Sequence, residues 1–169
     1  ITDEEKLEEL SPKYKNRIVG HAGRLLLPFC DKEGNMTGVT GRLVSGKGLR
    51  YLTLKFNEDI EPLIFGLENL DVQRDITVVE GPLDSLFLIN CIAVGGSDFG
   101  KLDGLVGKEN TTIVFDNEPR NKEIVARIQT LIADDWAVCI WPDKISEKDI
   151  IILAAFGSGF TWASAAIKW

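Results

Sequence analysis

The sequence predicts an α/β protein in which a parallel, Rossmann-like sheet flanked by helices follows a small β-rich lobe. Three observations carry that expectation. The β-branched runs Ile76-Thr77-Val78-Val79 and Thr111-Thr112-Ile113-Val114-Phe115 are apolar enough to be buried on both faces. Each run meets turn chemistry and then a helix-compatible stretch, through Gly81-Pro82 in one case and Asn117 to Pro119 in the other. Ahead of both, residues 24–56 alternate strand-like segments with turns rich in Gly and Asp.

Taken in order, residues 1–10 read as a short acidic helix that Thr2 or Asp3 can cap, ended by Ser11-Pro12. Two strands, Arg24 to Phe29 and Met36 to Leu43, flank an Asp31-x-x-Gly34-Asn35 turn and predict a hairpin. Gly46-Lys47-Gly48 punctuates the chain before a third strand, Arg50 to Phe56. Residues 57–75 form a connector with a short extended segment, Pro62 to Phe65. The expected order is then strand 76–80, helix 83–90, strand 91–94, helix 98–106, strand 111–116, helix 120–133 and strand 137–141. A helical tail is expected after Ser146. Ile124, Val125, Ile128, Leu131 and Ile132 keep helical spacing and give helix 120–133 one apolar face. Short strands alternating with helices argue for right-handed parallel crossovers. The domain reading is a basic, mainly antiparallel lobe over residues 1–70 and a parallel-sheet domain over residues 71–169.

A chain of 169 residues with 44% hydrophobic content can build one sizeable core or two small lobes. No apolar run reaches the roughly 18 residues that a membrane-spanning helix needs. Cys30, Cys91 and Cys139 are far apart and lie in apolar runs, so buried thiols in a reducing cytoplasm are expected rather than a disulfide framework. With a single histidine, His21, and no C-x-x-C, a zinc site in this stretch has no support. His21 itself sits between glycines and reads as a loop residue. The chain opens on Ile1 rather than Met, which suggests a piece of a longer protein.

Net charge is -7 at pH 7, which by itself argues against nucleic acid, but the charge is unevenly distributed. Residues 11–57 hold Lys13, Lys15, Arg17, Arg24, Lys32, Arg42, Lys47, Arg50 and Lys55 against only Asp31 and Glu33. A basic lobe beside an acidic one suits a polyanion on one side and a divalent cation on the other.

The acidic half carries the chemistry. Glu80 ends one strand, and Asp116 and Glu118 follow another, at the carboxyl edge where open α/β sheets bind ligands. Phosphoryl transfer needs divalent metal to neutralise charge around phosphorus, and Mg²⁺ takes hard oxygen ligands while keeping several waters. Converging carboxylates supply such ligands, although each acid alone reads equally as a helix cap. Arg120 and Lys122 lie at a helix start, suited to a triphosphate or a template phosphate; solvated basic side chains have the same signature.

Glu80-Gly81-Pro82-Leu83-Asp84 and Asp116-Asn117-Glu118 resemble the two signature motifs of the TOPRIM domain, shared by primases, topoisomerases and some nucleases. Asp116 to Glu123 is similar to the D-N-E/Q-P-R-N-K-E phrase of bacteriophage primases, and Ala93 to Ser97 to the loop after their next strand. Arg24 to Phe29, Asp31-x-x-Gly34 and Gly41-Arg42 resemble the segment ahead of the TOPRIM domain in bacterial and bacteriophage primases. The resemblance covers about residues 24–149. It implies that Glu80 serves as general acid/base or metal ligand, that Asp116 and Glu118 hold Mg²⁺ or Mn²⁺, and that Asp84 lies nearby. One match fails: Lys148-Asp149 is present, but Ile150-Ile151-Ile152 stands where a further acid is usual. Asp149 is therefore a provisional ligand, and a second metal is in doubt.

The function implied is that of a DNA primase catalytic core, joining ribonucleotides on a single-stranded DNA template. Its partners would be ribonucleoside triphosphates and a replicative helicase, its place the cytoplasm, of the host if the source is a phage. The template track would use Arg24, Arg42, Lys47 and Lys55. The alternatives are a TOPRIM nuclease or topoisomerase-like module, or a non-catalytic metal-binding domain with Asp116 as phospho-acceptor. A topoisomerase needs a nucleophilic tyrosine, and neither Tyr14 nor Tyr51 has a recognisable setting.

Overall fold

The computed structural model describes residues 23–56, 63–96, 98–118 and 120–141, together with the backbone of residues 150–156 and 162–168. The expected N-terminal helix, His21 and Asp149 lie outside the described residues. The chain divides into two compact units, Ile1–Leu63 and Ile64–Trp169.

In the first unit, β1 (Gly23–Cys30), β2 (Met36–Ser45) and β3 (Tyr51–Lys55) form an antiparallel meander in the order β1-β2-β3. The hairpin turn is the one that the sequence predicts. Asp31 Oδ1 accepts from the backbone N–H groups of Glu33 and Asn35, and Gly34 takes φ 84°, a conformation that a side chain would oppose. Leu27, Phe29, Leu52 and Leu54 are buried, whereas Leu25 and Leu26 are exposed. The ladder places Leu27 and Phe29 with Thr40 on one face of the sheet and Leu52 and Leu54 with Val39 on the other, so each face buries part of its side chains.

The second unit contains a four-stranded parallel sheet, with β4 (Ile76–Val79) and β6 (Thr111–Val114) at its centre. Strands β5 (Cys91–Ala93) and β7 (Ala137–Val138) form its edges, giving the order β5-β4-β6-β7. Val78, Ile92 and Ile113 are in register and with Val94 line one fully buried face. On the other face Val79 is buried, Thr77 and Val114 are half-buried and Thr112 is exposed, so the burial of both runs on both faces that the sequence predicts is met on one face only. Phe99, Phe115, Ile124 and Trp136 join the same core, and the Phe99 and Phe115 rings lie 4.7 Å apart. Helix α1 (Pro82–Ser85) starts on a proline, and helix α2 (Lys122–Ala133) is capped by Asn121, whose side chain accepts from the N–H groups of Glu123 and Ile124.

Most boundaries shift by a residue or two, and four expected elements change more than that. The helix expected over 83–90 stops at Ser85, and Asn90 takes φ 49° with its side-chain amide on the carbonyls of Asp71 and Asp75. That tie fixes where β5 begins and leaves no length for a longer helix. The helix expected over 98–106 is a 3₁₀ turn, Phe99–Leu102, in a stretch interrupted by Gly100 and Gly104. Strand 137–141 narrows to Ala137–Val138. The helical tail after Ser146 is overturned: β8 (Ile150–Phe156) and β9 (Trp162–Lys168) form an antiparallel hairpin. A run of three isoleucines loses side-chain freedom in a helix and suits an extended backbone.

Replacing Ile113 by Ala should cost about 2–5 kcal/mol, because it deletes packed volume at the centre of the sheet. Urea unfolding with an unchanged m-value measures it; a loss well under 1 kcal/mol would show that the core is not packed around β6.

Candidate active site

Parallel pairing brings the ends of β4 and β6 to one edge. Val79 is in register with Val114, so Glu80 leaves the sheet beside the start of the Phe115-Asp116 step. Glu80 is half-buried, and its Oε1 is a buried oxygen without a hydrogen-bond partner. Its main-chain carbonyl accepts from the Gly96 N–H at 3.3 Å, which ties it to the glycine loop after β5.

Glu80 has a perturbed acidity. Its carboxyl is pushed up from 4.5 to about 7, first by burial and then by the negative charges of Asp116 and Glu118. Asp84 adds to the effect and Arg127 opposes it. Asp84 sits in α1, close enough to Gly81 that a side chain there would collide with its carboxylate. Cys91 is pushed up to about 12, by burial and then by Asp84, so its thiol is not a nucleophile at neutral pH.

Asp116 and Glu118 are exposed at the tip of β6, where a tight turn joins them through Glu118 N–H to Asp116 O at 2.8 Å. Asn121 then orients Glu118, donating from Nδ2 to its Oε2 at 2.8 Å while capping α2. The structure thus places Asp84, Asp116 and Glu118 within electrostatic reach of Glu80. It does not draw them into ligating distance: among the described residues no group of three or more His, Cys, Asp or Glu could hold a metal ion as placed. The two observations agree if the side chains repel without a cation among them. Mg²⁺ commonly takes one or two carboxylates, waters and substrate phosphates. The orphaned Glu80 oxygen and the hard-oxygen donor set fit such a hydrated ion.

The basic candidates fall into two sets. In the first unit, Arg24 donates to the carbonyls of Gly41 (3.2 Å) and Leu49 (2.9 Å), so part of its role is structural. Arg42 lies opposite Tyr51 across the β2–β3 ladder and bonds its hydroxyl, with Arg50 5.7 Å from the same ring. Lys47 is exposed and Lys55 half-buried. In the second unit, Arg120 and Lys122 are exposed on either side of the Asn121 cap. Sequence reasoning missed Asn121 and Arg127. Arg127 pairs with Glu123 at 2.6 Å and acts on Glu80; its one legible sign was its position three residues after the core-facing Ile124.

The raised acidity has a definite consequence. The folded chain keeps a proton on Glu80 that the unfolded chain releases above about 4.5, so metal-free stability should fall as pH rises from 4.5 to about 7. Glu80→Gln should flatten that slope in a thermal-melt series. Mn²⁺ affinity should climb over the same range and then level off, since a ligand must lose its proton to bind. A pH-independent Mn²⁺ affinity would remove Glu80 from the metal site.

No protein-family model matches the chain. It is 31% identical over 129 residues to a DNA primase of Enterobacteria phage T4, covering 76% of this chain and 36% of that protein. The chain thus spans about a third of the length of that relative. A 34-residue stretch is 50% identical to a β-ketoacyl-[acyl-carrier-protein] synthase III of Bacteroides thetaiotaomicron, covering 19% of this chain and 10% of that protein. Among solved structures, the DnaG catalytic core matches with a TM-score of 0.56 at 22% identity, over 72% of this chain and 46% of the other. The primase fragment of the bacteriophage T7 primase-helicase matches with a TM-score of 0.55 at 18% identity, over 73% and 55%. In sequence the chain is similar to a bacteriophage DNA primase, and its fold is that of the bacterial and bacteriophage primase catalytic cores.

Proposed function

We propose that the chain forms the catalytic part of a DNA primase, which joins ribonucleoside triphosphates into short primers on single-stranded DNA. The observation that carries this reading is the half-buried Glu80 carboxyl, with its Oε1 lacking a hydrogen-bond partner, within the charge influence of Asp116 and Glu118, in a chain akin to a phage primase. In the reaction, the 3′-hydroxyl of one nucleotide attacks the α-phosphate of the next and pyrophosphate leaves. Glu80, Asp116 and Glu118 would hold Mg²⁺ or Mn²⁺, with Asp84 beside them and Asp149 as a further ligand. The ion supplies charge neutralisation at the phosphates. An acid that titrates near neutrality can also accept the proton of the attacking hydroxyl. Arg120 and Lys122 would bind triphosphate or template phosphates.

On this reading, residues 1–70 form the template-tracking lobe and residues 71–169 the TOPRIM domain. Arg24, Arg42, Lys47 and Lys55 would follow the template backbone. A replicative helicase is the partner that would deliver the template, and the cytoplasm is the compartment.

The full-length protein, incubated with single-stranded DNA, labelled ribonucleotides and Mg²⁺ or Mn²⁺, should make short oligoribonucleotides. Glu80→Gln should lower synthesis at least about a hundredfold, as loss of a charged transition-state group does. Nicking of DNA without synthesis would favour the nuclease reading instead. Arg42→Glu together with Lys47→Glu should weaken single-stranded DNA binding for all sequences and reduce the salt slope by about two. Wild-type affinity and slope in that double variant would place the template track elsewhere.

A further inference from the structure

We infer that Trp141 is a positioning residue of the candidate active site: its indole N–H anchors the peptide that carries Asp116. The inference rests on the reading of Asp116 as a site carboxylate, and its experiment separates the two.

The argument begins with the β6–β7 ladder. Ala137 and Val138 pair with Thr112 and Ile113, and the Cys139 N–H donates to the Ile113 carbonyl at 2.8 Å. In a parallel ladder the next bond of this series, two residues on, would run from the N–H of residue 141 to the carbonyl of Phe115. The acceptor is used, but by a different donor of the same residue. Trp141 Nε1 donates to the Phe115 carbonyl at 2.7 Å. The side chain thus extends the sheet's hydrogen bonding past the end of β7.

The acceptor is the peptide that joins Phe115 to Asp116. A peptide unit is planar, so holding its carbonyl also holds the Asp116 N–H and the direction in which that residue leaves the sheet. Phe115 is gripped from the other side as well, its ring buried at 1% exposure against Phe99. Asp116 therefore starts from a backbone held by a core ring and by an indole. The order passes on to Glu118, whose N–H donates to the Asp116 carbonyl. Repulsion from Glu80 pushes these acids apart, so a fixed backbone is what keeps them together. Trp141 is itself half-buried, which shields the bond from water.

The decisive variant keeps the shape and removes the donor. At position 141, 3-benzothienylalanine puts sulfur where the indole N–H was; Trp141→Phe is the coarser companion. Mn²⁺ affinity and amide hydrogen exchange are measured on the full chain, the exchange without metal. The expected result is an affinity loss of about tenfold, the size typical of an outer-shell contact to a metal site. Exchange at Glu118 should accelerate in step, while Val78 and Val79 keep wild-type protection. Unchanged affinity with unchanged Glu118 exchange overturns the inference. So does an equal acceleration at Val78 and Val79, which marks general loosening. If the wild-type chain binds no Mn²⁺ yet Glu118 alone loses protection, the metal reading fails and the anchoring role of Trp141 stands.

Discussion

The parallel pairing of β4 with β6 is the constraint on which the candidate site depends. Once Val79 and Val114 are in register, Glu80 and Asp116 must emerge at the same edge, whatever the cost in repulsion. Burial of Glu80 withholds the water that would otherwise solvate its charge. The result is a Glu80 carboxyl pushed up to about 7. Such a cluster is unfavourable for the fold alone, and the sheet tolerates it because its stability comes from below the edge. Val78, Ile92, Ile113 and Phe115 form a closed core that does not use the acids.

The elements around that edge offset only part of the charge. Arg127 opposes the acidity shift of Glu80 and shares its guanidinium with Glu123. Asn121 divides its amide between capping α2 and holding Glu118. A helix start and a site carboxylate are thereby coupled through one residue. Gly81 lets the Asp84 carboxylate lie close against the backbone at the end of β4; a side chain there would make that carboxylate turn away.

The first unit follows a different logic. Its sheet buries Leu27 and Phe29 on one face and Leu52 and Leu54 on the other, and Arg42 stands opposite Tyr51 in the β2–β3 ladder. Arg42 and Arg50 both lie against Tyr51, so an aromatic face and two guanidinium groups share one surface. Single-stranded nucleic acid is commonly bound on surfaces of this composition. Arg24, by contrast, spends donors on the carbonyls of Gly41 and Leu49, which makes it partly a brace for the strand ends.

The amino-acid sequence alone determined the central strands, the Asp31 turn, the helix that follows the acids and the positions of the acids. All of these rest on local chemistry: β-branched runs, a left-handed glycine, apolar residues at helical spacing and a carboxylate at a strand end. It also carried the primase resemblance, because motif order survives where overall similarity is low. Tertiary structure decided the rest. Leu83 to Asn90 has the composition of a helix, but the tie of Asn90 to Asp71 and Asp75 cuts it short. The tail from Ile150 is apolar enough to read as a buried helix, but its β-branched start suits an extended backbone and its pairing with residues 162–168 makes it a strand. The acidity of Glu80, the reach of Arg127 and the bond from Trp141 to Phe115 join residues between 26 and 47 positions apart in the chain. Sequence periodicity extends over only a few turns of backbone, so contacts of that range exist only once the sheet has closed.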